Sequence, residues 1–91
     1  MKATLKTVSN LIAERKPFTC NKSLYGEQRG DTYIVFSYGE HFPLALCRDN
    51  LWFVNSSKYS PTTSRHQSKV RLGLHGIEYR ELSVNEIRNL I

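Results

Sequence analysis

Near the N-terminus the apolar residues Leu5, Val8, Leu11 and Ile12 recur every three or four positions, the spacing that puts side chains on one face of an α-helix. The pattern predicts a helix over residues 4–16, with Glu14, Arg15 and Lys16 solvated. Pro17 ends it by disfavouring helical geometry at the residue before. Residues 18–25 read as a first strand, diluted by Asn21, Lys22 and Ser23, and residues 26–31 as a turn-rich loop. From residue 32 the period changes. Residues 32–38 are rich in β-branched and aromatic types, which suit a pleated, half-buried surface. Gly39 and Glu40 then stand where a two-residue hairpin turn is expected, with glycine supplying the positive φ of a type II′ turn. Residues 41–48 are apolar on both faces through Phe42, Leu44, Ala45, Leu46 and Cys47, which marks a central strand. Pro43 removes a ladder hydrogen bond, so regular pairing is expected only from Leu44. Asp49 and Asn50 form the next tight turn, and residues 51–55 the following strand.

Beyond Asn55 the chain becomes polar and hydroxyl-rich up to Ser64. That composition supplies cap and first-turn chemistry for a short helix over residues 62–72, stopped by Gly73, with Val70, Leu72 and Leu74 as its thin apolar content. Residues 77–82 alternate as a short edge strand. Ser83 and Glu86 form a capping box that opens a terminal helix with Val84, Ile87, Leu90 and Ile91 as its buried stripe. No repeat or low-complexity linker interrupts the chain. The reading is a single small α+β domain over residues 1–91. It is an antiparallel β-meander of three to five strands, with an N-terminal helix, a short helix after the meander and a C-terminal helix.

At 91 residues, 40% hydrophobic and 23% charged, the chain has ordinary globular composition with room for one core. No apolar run approaches the roughly 18–20 residues of a membrane span. The basic N-terminus meets no apolar segment before Lys6, Thr7, Ser9 and Asn10 interrupt it, so a cytoplasmic location without membrane contact is expected. Cys20 and Cys47 are isolated from one another and from ligand-spaced histidines, and read as reduced, partly buried thiols. The net charge of +5 permits an anionic partner. Its placement says more. Residues 50–77 contain no Asp or Glu, yet hold Lys58, Arg65, Lys69 and Arg71 with His66 and His75.

Three chemistries compete for these residues. His41, His66 and His75 lack the i, i+4 spacing of a helical metal site, and neither metal nor cofactor is expected. A small metal-independent nuclease needs an acid–base group and a cation on the scissile phosphate; Arg65 and His66 with His41 or Tyr59 supply those types. Thirdly, Lys58, Tyr59, Thr62, Thr63, Arg65, His66, Lys69 and Arg71 surround an expected helix start, where hydroxyls, main-chain N–H groups and cations suit a phosphate backbone. The aromatics Tyr33, Phe36, Tyr38, Phe42, Trp52 and Phe53 are either a base-stacking platform or cross-strand core. Two layers cannot cover both sheet faces of so short a chain, so some are expected at the surface, where they suit a protein or nucleic-acid contact.

Two signatures, Ser37, Tyr38, Gly39, His41 and Pro43, then Tyr59, Ser60, Thr62, Thr63 and His66, together with Trp52 and Asn55, resemble a family of small bacteriophage-associated domains of uncharacterised function. The resemblance covers roughly residues 18–72 and implies a phage or mobile-element setting, the host cytoplasm included. Accessory proteins of that kind bind nucleic acid or inhibit host machinery. It transfers no catalytic residue. The expectation is a non-enzymatic accessory protein that contacts nucleic acid, with a protein-binding inhibitor of host defence or metabolism as the alternative and a nuclease as the third reading.

Overall fold

The structure is a computed structural model that describes residues 4–20, 23–38, 42–57 and 61–91, leaving aside the side chains of Leu5, Lys6, Pro61, Thr62 and Thr63. Helix α1 (Leu5–Ala13) is followed by five antiparallel strands, β1 (Phe18–Cys20), β2 (Leu24–Arg29), β3 (Thr32–Ser37), β4 (Pro43–Arg48) and β5 (Leu51–Asn55). Helix α2 (Pro61–Gly73) then crosses back to β6 (Tyr79–Leu82), and α3 (Val84–Arg88) follows. The strands lie in sequence order in one sheet. β6 pairs parallel to β5, Trp52 opposite Tyr79 and Asn55 opposite Leu82, so β5, α2 and β6 make one crossover unit appended to a five-stranded meander.

Both faces of the central strands are covered. Every residue of β3 and β4 is buried except the half-buried Arg48. On one face Val8, Leu11 and Ile12 of α1, Val70 of α2 and Leu74 just after it join Phe18, Tyr33, Val35, Trp52 and Val54 in the main core. On the other, Ile34, Phe36 and Leu46 are closed over by Tyr25, Phe53 and Leu90. Ile87 of α3 is buried as well, while Ile91, expected in its stripe, is exposed. The capping box of α3 forms as expected, the Ser83 hydroxyl accepting from the Glu86 N–H and the Glu86 carboxylate from the Ser83 N–H. These bonds hold the Glu86 carboxyl below its ordinary pKa.

Two local expectations are corrected. The first strand is two: β1 and β2 form a hairpin with Cys20 opposite Leu24, and β2 runs on through the stretch expected as loop. Gly26 is a packing glycine there, because a Cβ would stand 2.5 Å from the Tyr33 hydroxyl and 2.7 Å from the Phe18 ring. Helix α1 closes three residues before the expected end. Arg15 takes φ 55°, and the N–H groups of Arg15 and Lys16 donate to the carbonyls of Ile12 and Leu11, the bond pattern of a left-handed helix cap. The Arg15 guanidinium then donates to Asn50 Oδ1 at 2.8 Å. The irregularity expected at Pro43 is present: Val35 faces Ala45 but Phe36 faces Pro43, and this bulge accommodates the missing N–H while Pro43 stays in β4.

The Asp49–Asn50 turn forms as expected, with both residues at positive φ, 54° and 63°, as a type I′ hairpin demands. The turn expected at Gly39 and Glu40 lies outside the described residues. Helices α1 and α2 cross closely at Gly73, where a Cβ would meet the Ser9 carbonyl oxygen at 2.5 Å. Beside that crossing the Ser9 hydroxyl donates to the Lys69 carbonyl at 2.9 Å. No helix among the described residues is long and apolar enough to cross a membrane.

Candidate functional site

The start of α2 meets one end of the sheet, where β3 and β5 finish and β4 begins. On α2 the inward face is His66, Gln67 and Val70, continued by Leu74 just past the helix end. Leu72, counted in the helix's thin apolar content, points away and is 61% exposed, because a residue two positions from both Val70 and Leu74 lies across the helix from them. The polar pair at the head of the inward face is hydrogen-bonded to the strand ends. His66 Nδ1 shares a hydrogen bond with Ser37 Oγ at 2.9 Å, and its ring lies 6.0 Å from that of Tyr38 at an interplanar angle of 31°. Burial lowers the His66 pKa below its ordinary value and so favours neutral imidazole. Gln67 Nε2 donates to the carbonyls of Asn55 at 2.9 Å and Ser57 at 2.8 Å. Asn55 is buried too, donating to the Pro43 carbonyl at 2.8 Å and accepting from the Ser57 N–H at 2.7 Å. Four segments are thereby latched together: the ends of β3 and β5, the start of β4, and the first half of α2.

The expected binding residues divide among three surroundings. Arg65 and Ser68 are exposed and Lys69 half-exposed on the outward side of α2, and spacings of three and four residues make them neighbours on that surface. Among the described residues neither Arg65 nor Lys69 has a carboxylate partner. Arg71 is on another flank, 3.6 Å from Glu81 of β6. His66 faces inward and is part of the latch, not of the basic surface. Thr62 and Thr63 occupy the first turn of α2, their side chains outside the described set. Lys58 and Tyr59 lie outside the described residues, as does His41.

Of the six aromatics weighed as a stacking platform, Tyr33, Phe36, Phe42 and Trp52 are buried, Phe53 is half-buried, and Tyr38 alone is exposed. Tyr33 is held by donating its hydroxyl to the Lys16 carbonyl at 2.8 Å, and burial pushes its pKa up. Among the described residues no group of three or more His, Cys, Asp or Glu side chains converges as metal ligands do. Cys20 and Cys47 are free and buried.

Sequence reasoning left Gln67 out of the site altogether. Its signal was spacing: Gln67, Val70 and Leu74 are three and seven residues apart, the interval of a single helical face. Ser37 and Asn55 were noticed only through the resemblance, since a polar residue at a strand end gives no periodic signal.

The chain belongs to a family of unknown function, DUF8033, whose model matches residues 6–83. The match spans α1 through β6, so the helical layer, the sheet and the latch all fall within the family region. No curated protein and no solved structure matches the chain.

Proposed function

We propose that this protein is a non-enzymatic binding protein that contacts nucleic acid through the outward face of α2. The observation that carries the reading is the stripe of Arg65, Ser68 and Lys69, exposed or half-exposed and without a carboxylate partner among the described residues. It lies within a stretch, residues 50–77, that contains no acidic residue. Two cations on one helix face suit phosphate oxygens, which fix a protein on a nucleic acid without reading its sequence; the Ser68 hydroxyl between them donates to the Ser64 carbonyl. Lys58, Tyr59, Thr62 and Thr63 belong to the proposal on the sequence alone, and Arg71, engaged with Glu81, contributes less. A phage-type accessory role in the host cytoplasm belongs to the proposal as well, on the resemblance of the two signatures.

The test is a titration of a labelled duplex across a range of salt. Each phosphate contact adds about 0.9 to the slope of log affinity against log salt, so Arg65→Glu with Lys69→Glu is expected to flatten the slope by roughly two units. No binding of duplex or single strand at low ionic strength, or an unchanged slope in a folded double variant, overturns the reading.

One observation favours a second reading, the protein-binding inhibitor. Leu51 is 59% exposed and Ile77 38%, and with Trp52, Phe53 and Tyr79 they line a cleft of about 390 Å³ at the β5–β6 edge. A stoichiometric protein partner that survives nuclease treatment of a bacterial lysate, and is lost with Leu51→Asp, would favour it. The nuclease reading draws no support from the geometry, since the His66 imidazole is committed to Ser37 beneath the surface.

A further inference from the structure

We infer that the nucleic acid is taken as a single strand, with an unpaired base stacked on Tyr38 while Arg65 and Lys69 hold the adjoining phosphates. The inference rests on the binding reading above. Its own support is the setting of Tyr38. Among the described residues the other large apolar side chains at the surface, Leu51, Leu72, Ile77 and Ile91, are aliphatic. Tyr38 is 47% exposed, and its position is built rather than incidental. Its backbone takes φ 61°, a conformation non-glycine residues rarely adopt, and its N–H donates to the Ser23 carbonyl at 2.8 Å. One side of the ring rests against the His66 imidazole, itself pinned by Ser37.

An aromatic held this way loses little side-chain freedom when a base stacks on it. His66 also brings the ring to the stretch of α2 that carries the cations on its outward side. Arg65 precedes it by one residue and Lys69 follows by three, so the cations flank the part of α2 that supports Tyr38. A duplex would offer those cations phosphates but keeps its base faces stacked on one another. Only an unpaired segment presents a free base face beside its own phosphates, which is why this arrangement selects single strands.

Fluorescence anisotropy with a labelled oligothymidine, and with a closed hairpin duplex of matching phosphate count, tests this. Wild type is expected to bind the oligothymidine more tightly at equal salt. Tyr38→Asn, whose new side chain tolerates positive φ, is expected to weaken that binding about tenfold and leave the salt slope unchanged. Tyr38→Leu keeps apolar bulk over His66 but has no π face, and loses the same increment; Tyr38→Phe retains wild-type affinity. Circular dichroism confirms that each variant is folded. Equal affinity for the two probes, or unaltered single-strand affinity in folded Tyr38→Asn and Tyr38→Leu, overturns the inference while the phosphate reading stands. Failure of both probes to bind at low salt overturns both.

Discussion

His66 shows how one buried titratable side chain makes stability depend on pH. Its imidazole is 5% exposed and shares its Nδ1 hydrogen bond with Ser37, and burial disfavours the charged form. The folded pKa therefore lies below the ordinary value of about 6.5 that the unfolded chain shows. Above that value both states are neutral at His66 and stability is at its full level. Below it the unfolded state takes up a proton that the folded state refuses, so stability falls as the pH drops, until the folded pKa is passed. The slope from this one group is at most about 1.4 kcal/mol per pH unit. Urea unfolding between neutral and mildly acid pH is expected to show this loss in wild type. His66→Gln, which keeps a polar side chain near Ser37 without titrating, is expected to be less stable at neutral pH and to have a shallower acid slope. A wild-type midpoint that does not move on acidification would contradict this account.

Among the elements, α2 depends on its polar head as well as on its apolar content. Val70 is the buried aliphatic residue of its inward face and Leu74 is buried just past its end, so the hydrogen bonds of the Gln67 amide to Asn55 and Ser57 supply much of the remaining attachment. Asn55 carries the latch. Truncation to alanine takes the Nδ2 donor from the buried Pro43 carbonyl and the Oδ1 acceptor from the Ser57 N–H, and unpaired buried groups cost about 1–3 kcal/mol. Asn55→Ala is accordingly expected to lower the unfolding free energy by about 2–3 kcal/mol, seen as a lower denaturant midpoint with an unchanged m-value. The elements built on local rules were the legible ones. The apolar stripe of α1, the strands β3 to β5, the Asp49–Asn50 turn and the Ser83–Glu86 box follow from spacing and turn chemistry within a few residues. The β1–β2 hairpin was not legible, because Gly26 answers to Tyr33 and Phe18 across two neighbouring strands. Neither was the helix cap at Arg15, whose guanidinium is held by Asn50, thirty-five residues away.

At the scale of the whole molecule the question is whether +5 of net charge acts as a total or through its placement. The charge asymmetry was readable from the sequence; which cations share a surface was not, since that depends on the rotation of α2 about its axis. The fold gives placement two ends. Glu14, Asp31 and Asp49 gather around a polar cleft at the β4–β5 turn, with Lys16 beside Glu14 at 3.3 Å. The start of α2, with Arg65, is at the other end of the strands. The molecule extends about 28 Å along its longest axis, whereas the screening length is about 10 Å at 0.1 M salt and about 30 Å at 0.01 M. Arg65→Gln and Lys16→Gln each remove one positive charge and leave the same total. Near 0.1 M the Lys16 variant is expected to bind single-stranded nucleic acid within about twofold of wild type, because its charge is screened from the α2 surface. The Arg65 variant is expected to lose several-fold through a lost phosphate contact. Toward 0.01 M the screening length reaches across the molecule, Lys16 begins to count, and the gap between the variants narrows. Equal losses at every salt concentration would mean that the partner senses only the total charge, and the assignment of the contact to α2 would fail.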